Sequence, residues 1–180
     1  MTPTPADRRP LPVPPLPGHL GGWSLHPTVA EHPSPDAAFG TAPAGAVRAY
    51  SVSRGHDGQP VARLTVHRVV HHPLRGCYPV GAHDLLLELV VTPPHAPATA
   101  VPDTAELLGS LAAALFAADP SCRRIMTAPA VEDIAAQERY AAGGFRPVAE
   151  ADVREGTVLL MVVEPEQVTT IATSLSDMPH

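Results

Sequence analysis

The sequence predicts an α+β domain in which a mixed, mostly antiparallel sheet is flanked by helices. An apolar run with strand character spans residues 84–92, and a segment with helical spacing follows over 103–118. From there strand, helix and strand alternate to residue 163, which is the order of α/β layers. Two strands joined by a tight turn precede residue 84, and such neighbours pair antiparallel. These observations predict one domain built on a single central sheet.

The chain begins with an arm, residues 1–18, whose seven prolines remove backbone donors and exclude helix. We expect this arm to be extended or disordered and solvated, with docking onto an SH3-like groove as the alternative. The domain is expected over 19–165, followed by a polar tail over 166–180. Trp23–Leu25 is predicted to form a first strand, whereas Pro27–Phe39 has little helical signal.

A hairpin is predicted next. Val47–Val52 alternates as a strand, Val61–Val70 returns, and Asp57–Gly58 between them is a turn signal. Three histidines near its end, His67, His71 and His72, raise the question of a metal site. A continued strand would place His67 and His71 on one face, but no evident carboxylate or cysteine completes a ligand set. We therefore predict no metal.

The central strand, Asp84–Thr92, is an apolar run interrupted by one carboxylate, Glu88, and stopped by Pro93–Pro94. A helix should open at Asp103, where Asp103-Thr-Ala-Glu106 has capping-box spacing. Leucines at helical intervals predict one buried face, and Asp119–Pro120 ends the helix.

In the second half of the chain, strands and helices again alternate. Arg124–Thr127 is predicted to be a short strand, and Val131–Ala142 an alanine-rich helix stopped by Gly143–Gly144. Thr157–Val163 is predicted to be a buried strand paired beside Arg146–Ala149.

Composition excludes several classes of function. The 180 residues carry a net charge of -6, and the 12 basic residues are all arginine with no cluster larger than a pair. Nucleic acid is therefore not an expected partner. The two cysteines are expected to be free thiols, since they lack Cys-x-x-Cys spacing. No apolar run approaches a signal peptide or a membrane span, which predicts a cytoplasmic protein with no membrane partner.

A set of motif residues extends over roughly 58–163: Tyr78, Asp84, Glu88–Val90, Pro93–Pro94, Leu115–Pro120, Arg123–Ile125, Ala128–Val131, Asp133 and Gly144–Phe145. Their spacing resembles that of GNAT-type N-acyltransferases, specifically the branch that acylates hydroxylated amines of lysine-derived hydroxamate siderophores. The resemblance implies a GNAT-like splayed sheet and acyl transfer from an acyl-CoA to a small-molecule amine or hydroxylamine. It leaves the oligomeric state open, with a homodimer among the expectations.

Two residues are the candidate catalysts. Glu88 stands where this branch has a histidine base, and its apolar neighbours would raise the pKa of an inward carboxylate. The alternative is that Glu88 faces solvent or pairs with an arginine such as Arg68 or Arg124. Tyr140, five residues before Phe145, matches the tyrosine that protonates the departing thiolate, with helix packing as the alternative.

Trp23, His67 and Asp84 are candidate substrate contacts, although Asp84 at the start of the strand also suits a turn. The resemblance implies the cofactor contacts. Val90 and Val91 would pair with the pantetheine arm of the cofactor, and Thr104 would lie near its pyrophosphate at the helix N-terminus.

Several positions depart from the family pattern. Ala128 and Ala130 replace acidic residues, and His95–Pro102 replaces a glycine-rich phosphate loop. Because Pro97 and Pro102 lack N–H donors, we expect weak coenzyme A binding. Two alternatives follow: another reaction on a small pathway intermediate, or a non-catalytic binding subunit.

Overall fold

The computed structural model of the chain describes residues 11–30, 42–55, 58–92 and 101–165, with the backbone alone for 101–103. Its eight strands form one sheet in the order β1-β2-β3-β4-β5-β6-β8-β7. The strands are β1 (His19–Leu20), β2 (Trp23–Thr28), β3 (Val47–Arg54), β4 (Pro60–Arg68), β5 (Leu85–Val91), β6 (Ile125–Thr127), β7 (Arg146–Val153) and β8 (Gly156–Val163). The helices are α1 (Val101–Ala118) and α2 (Ile134–Ala142), and short 3-10 turns span Val69–His71 and Pro73–Gly76.

The predicted sheet is confirmed, and its one departure from antiparallel pairing among the described strands lies at the centre. β5 and β6 run parallel and are in register at two positions, Leu85 with Ile125 and Leu86 with Met126. β5 then continues to Val91, while β6 ends at Thr127. The two strands therefore separate beyond Leu86, which is the predicted splay.

The burial of β5 differs between its two faces and changes along one of them. Leu85, Leu87 and Leu89 pack into the core shared with α1 and α2. Leu86 points to the other face, where it joins a second apolar cluster. Two residues later on that second face, Glu88 is exposed. The second face is thus closed at the start of β5 and open at its end.

Both helices begin away from their predicted first residues. α1 starts at Val101, two residues before Asp103. α2 starts at Ile134 because Asp133 caps it, accepting a hydrogen bond from the Ala136 amide at 2.9 Å. Val131 stays outside this helix, since its amide donates to the Thr157 carbonyl of β8.

The end of the proline-rich arm belongs to the core. Val13 and Leu16 are buried, and the Leu16 amide donates to the Tyr50 hydroxyl at 3.1 Å. The prediction of a solvated arm is therefore wrong for Val13, Pro14 and Leu16, whereas the other residues of 11–18 are exposed and the stretch has no regular secondary structure. Residues 1–10, the tail over 166–180, Pro93–Pro94 and the 95–100 loop lie outside the described residues.

Arg68 anchors this arm to the rest of the molecule. Its side chain is buried and donates to the Pro12 carbonyl, to the His83 carbonyl and to Asp119 Oδ2, the last at 2.7 Å. His83 Nδ1 lies 3.0 Å from Asp119 Oδ1. The arm, β4 and the residue after α1 are thereby tied together.

Two further features of the structure concern the cysteines and the helices. Cys77 and Cys122 are both free. Within the described ranges, neither helix combines the length and the apolar character needed to cross a bilayer.

Candidate active site

The open edge of β5 is the centre of the site. The Leu85 amide donates to the Arg124 carbonyl beside β6. Since amides alternate in direction along a strand, those of Leu89 and Val91 point to the same edge. β6 has ended at this level, and the Leu89 amide donates instead to the Tyr140 hydroxyl at 3.0 Å. The splay therefore exposes a strand edge with Tyr140 inserted beside it.

Tyr140 reaches the splay from α2. Its ring is buried and meets Phe145 edge to face, with 5.6 Å between ring centroids. Burial raises the pKa of Tyr140 above its ordinary value, and hydrogen bonds with Thr127 and the Leu89 amide oppose this shift without cancelling it. At neutral pH the phenol is protonated, as a proton donor must be.

Glu88 is the neighbouring residue of β5 and points to the open face of the sheet. Its Oε2 atom lies 3.2 Å from His67 Nε2, and its Oε1 atom lies 3.9 Å from His72 Nε2. The two imidazole rings contact each other edge to face at 5.1 Å. The Glu88 side chain keeps 48% of its surface exposed, whereas His67 and His72 keep 16% and 18%. A half-open carboxylate is thus backed by two largely buried imidazoles.

The prediction that apolar neighbours raise the pKa of Glu88 is wrong. Burial does push the pKa upward, but the hydrogen bond with His67 and the charges of His67 and His72 outweigh it, and the pKa lies below its ordinary value. Burial also lowers the pKa of His72 to about 4, helped by repulsion from His67 and opposed by Glu88. The carboxylate is ionised and His72 is neutral at neutral pH.

The arginine alternative for Glu88 is also wrong. Arg68 pairs with Asp119, and Arg124 pairs with Glu164 at 2.9 Å. Both guanidinium groups serve other parts of the sheet, so the partners of Glu88 are histidines.

His72 is among the three histidines noted in the sequence, but its place beside His67 was not predicted. A continued strand would have paired His67 with His71, but β4 ends at Arg68 and the chain makes a 3-10 turn over Val69–His71. That turn brings His72 back over His67. The signal that could have revealed it is Pro73, which favours an extended His72 and marks the end of a strand.

The remaining candidates lie in different environments. Asp84 is buried and accepts hydrogen bonds from the backbone amides of Gly81, Arg123 and Arg124, so it takes the strand-start role and is not presented to a substrate. Trp23 is a core residue of β2.

The three residues predicted to contact the cofactor differ in exposure. Thr104 is buried in the first turn of α1. Val90 is 62% exposed beside Glu88, and Val91 is half-buried at the end of β5. The splay thus brings together Glu88, Tyr140, Val90 and Val91, and joins His67 to them through Glu88.

Comparison with known proteins agrees with this geometry. Residues 47–153 match a family model described as an acetyltransferase (GNAT) domain. No curated protein sequence matches the chain.

Three solved structures illustrate the likeness in fold. AAC(6')-Ib in complex with paromomycin and acetyl-CoA has a TM-score of 0.58 at 15% identity, over 72% of this chain and 71% of that chain. A spermidine N-acetyltransferase SpeG chimera from Vibrio cholerae and hSSAT has a TM-score of 0.52 at 13% identity, over 71% and 72%. RimJ of Mycobacterium smegmatis in complex with CoA-disulfide has a TM-score of 0.52 at 18% identity, over 69% and 56%.

Proposed function

This chain belongs to the GNAT acetyltransferase family, and from that premise we propose that it moves an acyl group from an acyl-CoA to the amine or hydroxylamine of a small molecule in siderophore or other natural-product biosynthesis. One observation carries the proposal. Glu88 and the Leu89 amide that holds Tyr140 are consecutive on β5, so the proposed base, on the open face, and the proposed acid, at the open edge, lie at the same point of the splay.

The reaction divides between these two side chains. An acyl-CoA, when bound, supplies a thioester carbon, and attack by nitrogen forms a C–N bond and breaks the C–S bond. Glu88 accepts the proton that the nitrogen loses, with His67 hydrogen-bonded to the carboxylate. Tyr140 donates its proton to the departing sulfur. Exchange with solvent then restores both side chains.

The open edge of β5 suits an extended acyl donor. The Val91 amide points to the same side as that of Leu89, and no described strand lies against it. An amide-containing arm could hydrogen-bond there as an added strand does. Val90 and Val91 are the residues that we propose for this contact, with Thr104 in the first turn of the following helix.

The acceptor is proposed to be an amine because a half-exposed, ionised carboxylate attracts a cationic group. Two structural neighbours are named for amine ligands or substrates, paromomycin and spermidine. The siderophore branch is supported by motif spacing, chiefly Leu115–Pro120 and Gly144–Phe145. His67, as the partner of Glu88, is the proposed substrate-side residue.

The test is an acceptor screen with acetyl-CoA and a longer acyl-CoA. Lysine-derived hydroxylamines, spermidine and an aminoglycoside would be incubated with the protein, and the acceptors analysed by mass spectrometry. We expect coenzyme A release matched by an acylated acceptor. Titration calorimetry should show weak coenzyme A binding. Turnover of a pathway intermediate without coenzyme A, or ligand binding without any product, would favour the alternatives of another reaction or a binding subunit.

A further inference from the structure

We infer that His67, His72 and Glu88 form a binding site for a divalent transition-metal ion of the Zn²⁺ class, and that the bound ion blocks acyl transfer by occupying the Glu88 carboxylate. The proposed metal site is argued from geometry alone. The proposed block of acyl transfer rests on the function proposed above.

The three donor atoms are already close to one another. One atom from each side chain, two imidazole nitrogens and a carboxylate oxygen, lie within 4.8 Å of each other. Donors about 2.1 Å from a tetrahedral ion are roughly 3.4 Å apart. His67 Nε2 lies 3.2 Å from Glu88 Oε2, and His72 Nε2 lies 3.9 Å from the other carboxylate oxygen, Oε1. Bringing one donor atom of each residue from within 4.8 Å to this spacing requires rotation of the side chains.

The backbone holds these donors in place. His67 and Glu88 are on adjacent antiparallel strands, in which Thr65 is paired with Glu88 and His67 with Leu86. They are therefore diagonal neighbours on one face of the sheet. His72 is placed by the 3-10 turn over Val69–His71. Rigid elements of this kind are what an ordered metal site needs.

The chemistry of the donors selects the class of ion. Two imidazoles and one carboxylate suit Zn²⁺ and its neighbours Co²⁺ and Ni²⁺, whereas Mg²⁺ and Ca²⁺ prefer oxygen ligands. Glu88 remains half-exposed, so the open side leaves room for a water ligand and for entry of the ion. In the described part of the chain, no second group of three such donors comes together.

Binding has two identifiable costs. Coordination through His67 Nε2 gives up its hydrogen bond with Glu88 Oε2 at 3.2 Å. His72 Nδ1 accepts a hydrogen bond from the Leu74 amide at 3.3 Å, which places the imidazole proton on Nε2. Coordination through Nε2 moves that proton to Nδ1 and gives up the hydrogen bond. The bond is long, so the loss is small compared with a metal–nitrogen bond.

Cobalt is the probe for the metal site. The full chain, with any purification tag removed, would be stripped with EDTA and titrated with Co²⁺ while the visible spectrum is recorded. We expect one Co²⁺ per chain with the absorption of a nitrogen- and oxygen-ligated ion, displaced by Zn²⁺. Affinity should fall at least about tenfold in His72→Asn and in His67→Asn. His71→Asn is the matched control and should bind as the unaltered chain does.

Different outcomes would overturn the metal site and the blocking of acyl transfer. No cobalt spectrum, or equal binding by folded His72→Asn, would overturn the site, and circular dichroism with His72→Gln as a second variant guards against misfolding. For the blocking statement, Zn²⁺ should inhibit acyl transfer, and the inhibitory concentration should rise at least about tenfold in His72→Asn but not in His71→Asn. Cobalt binding without acyl transfer would reject only the proposed function. Zinc-insensitive acyl transfer would reject the blocking role.

Discussion

The Glu88 side chain is half-exposed and contacts two imidazoles, so its proposed catalytic role can be tested separately from its contribution to stability. Glu88→Gln keeps the shape and removes the proton acceptor, so turnover should fall by roughly 10²–10⁴-fold. Because the side chain is 48% exposed, the free energy of unfolding should change by less than about 1 kcal/mol. Turnover and urea denaturation would be measured on the same samples.

Glu150 provides the control for this substitution. It is also an exposed glutamate in a strand, on β7. Glu150→Gln should leave both turnover and stability unchanged. Full turnover in Glu88→Gln would remove Glu88 from the mechanism and require another base for the reaction.

Tyr140 is expected to affect stability and turnover together. Tyr140→Phe leaves the Leu89 amide without its partner, so the free energy of unfolding should fall by about 1–3 kcal/mol. Turnover should fall as well, because the departing sulfur would lose the proton donor that we propose for it.

A second buried tyrosine separates these effects. The Tyr50 hydroxyl accepts from the Leu16 amide at 3.1 Å, on a strand away from the splay. Tyr50→Phe should cost similar stability, measured by urea denaturation, and leave turnover of the folded protein intact. An equal loss of turnover in both variants would assign Tyr140 a packing role only.

At the scale of elements, the contact between the two helices depends on a glycine. A Cβ atom at Gly143, just after α2, would lie 2.6 Å from Leu108 Cβ on α1. Gly143→Ala should therefore reduce the free energy of unfolding by about 1–3 kcal/mol.

Gly109, one residue after Leu108 on α1, is the control. A Cβ there meets nothing within 4 Å. Gly109→Ala should stabilise the protein by about 0.5–1 kcal/mol, since alanine is the better helix former. Thermal and urea denaturation would measure both variants, and an unaffected Gly143→Ala would show that α1 and α2 separate easily.

At the scale of the whole molecule, Asp119 holds the arm to the sheet through Arg68. Burial pushes the pKa of Asp119 upward, but hydrogen bonds from His83 and Arg68 and the charge of Arg68 outweigh it and lower the pKa. A lowered pKa means that the unfolded chain binds the proton first as pH falls. This contribution to stability is complete above about pH 5 and is lost as pH falls through the folded-state pKa.

Asp119→Asn tests that assignment. At pH 7 it should reduce the free energy of unfolding by about 3 kcal/mol, because Arg68 is left buried without its charge partner. Below pH 4 the difference from the unaltered chain should shrink. The control is Asp152→Asn, at an exposed carboxylate of β7 that accepts a hydrogen bond from the Thr157 hydroxyl. This change should have little effect on stability at pH 7 or below pH 4. Urea denaturation across pH 3–7 is the measurement, and a pH-independent difference would contradict the linkage.

The sequence by itself determined the order of the elements and the central place of β5, and its resemblance to GNAT-type enzymes implied the splay beside β5. The first two features depend on local periodicity and on turn residues, which are read from neighbouring positions. It also singled out Glu88, Tyr140 and His67. It misjudged the last residues of the arm, because Val13 and Leu16 lie between prolines and show no pattern of their own.

Only the tertiary structure decided how the site is assembled. Tyr140 meets the Leu89 amide across 51 positions of sequence, and His72 reaches Glu88 because a 3-10 turn interrupts β4. The direction of the Glu88 pKa shift follows from those neighbours. An apolar run in the sequence predicts desolvation, but charge partners come from other strands and turns, and at a few ångströms their attraction exceeds the cost of burial.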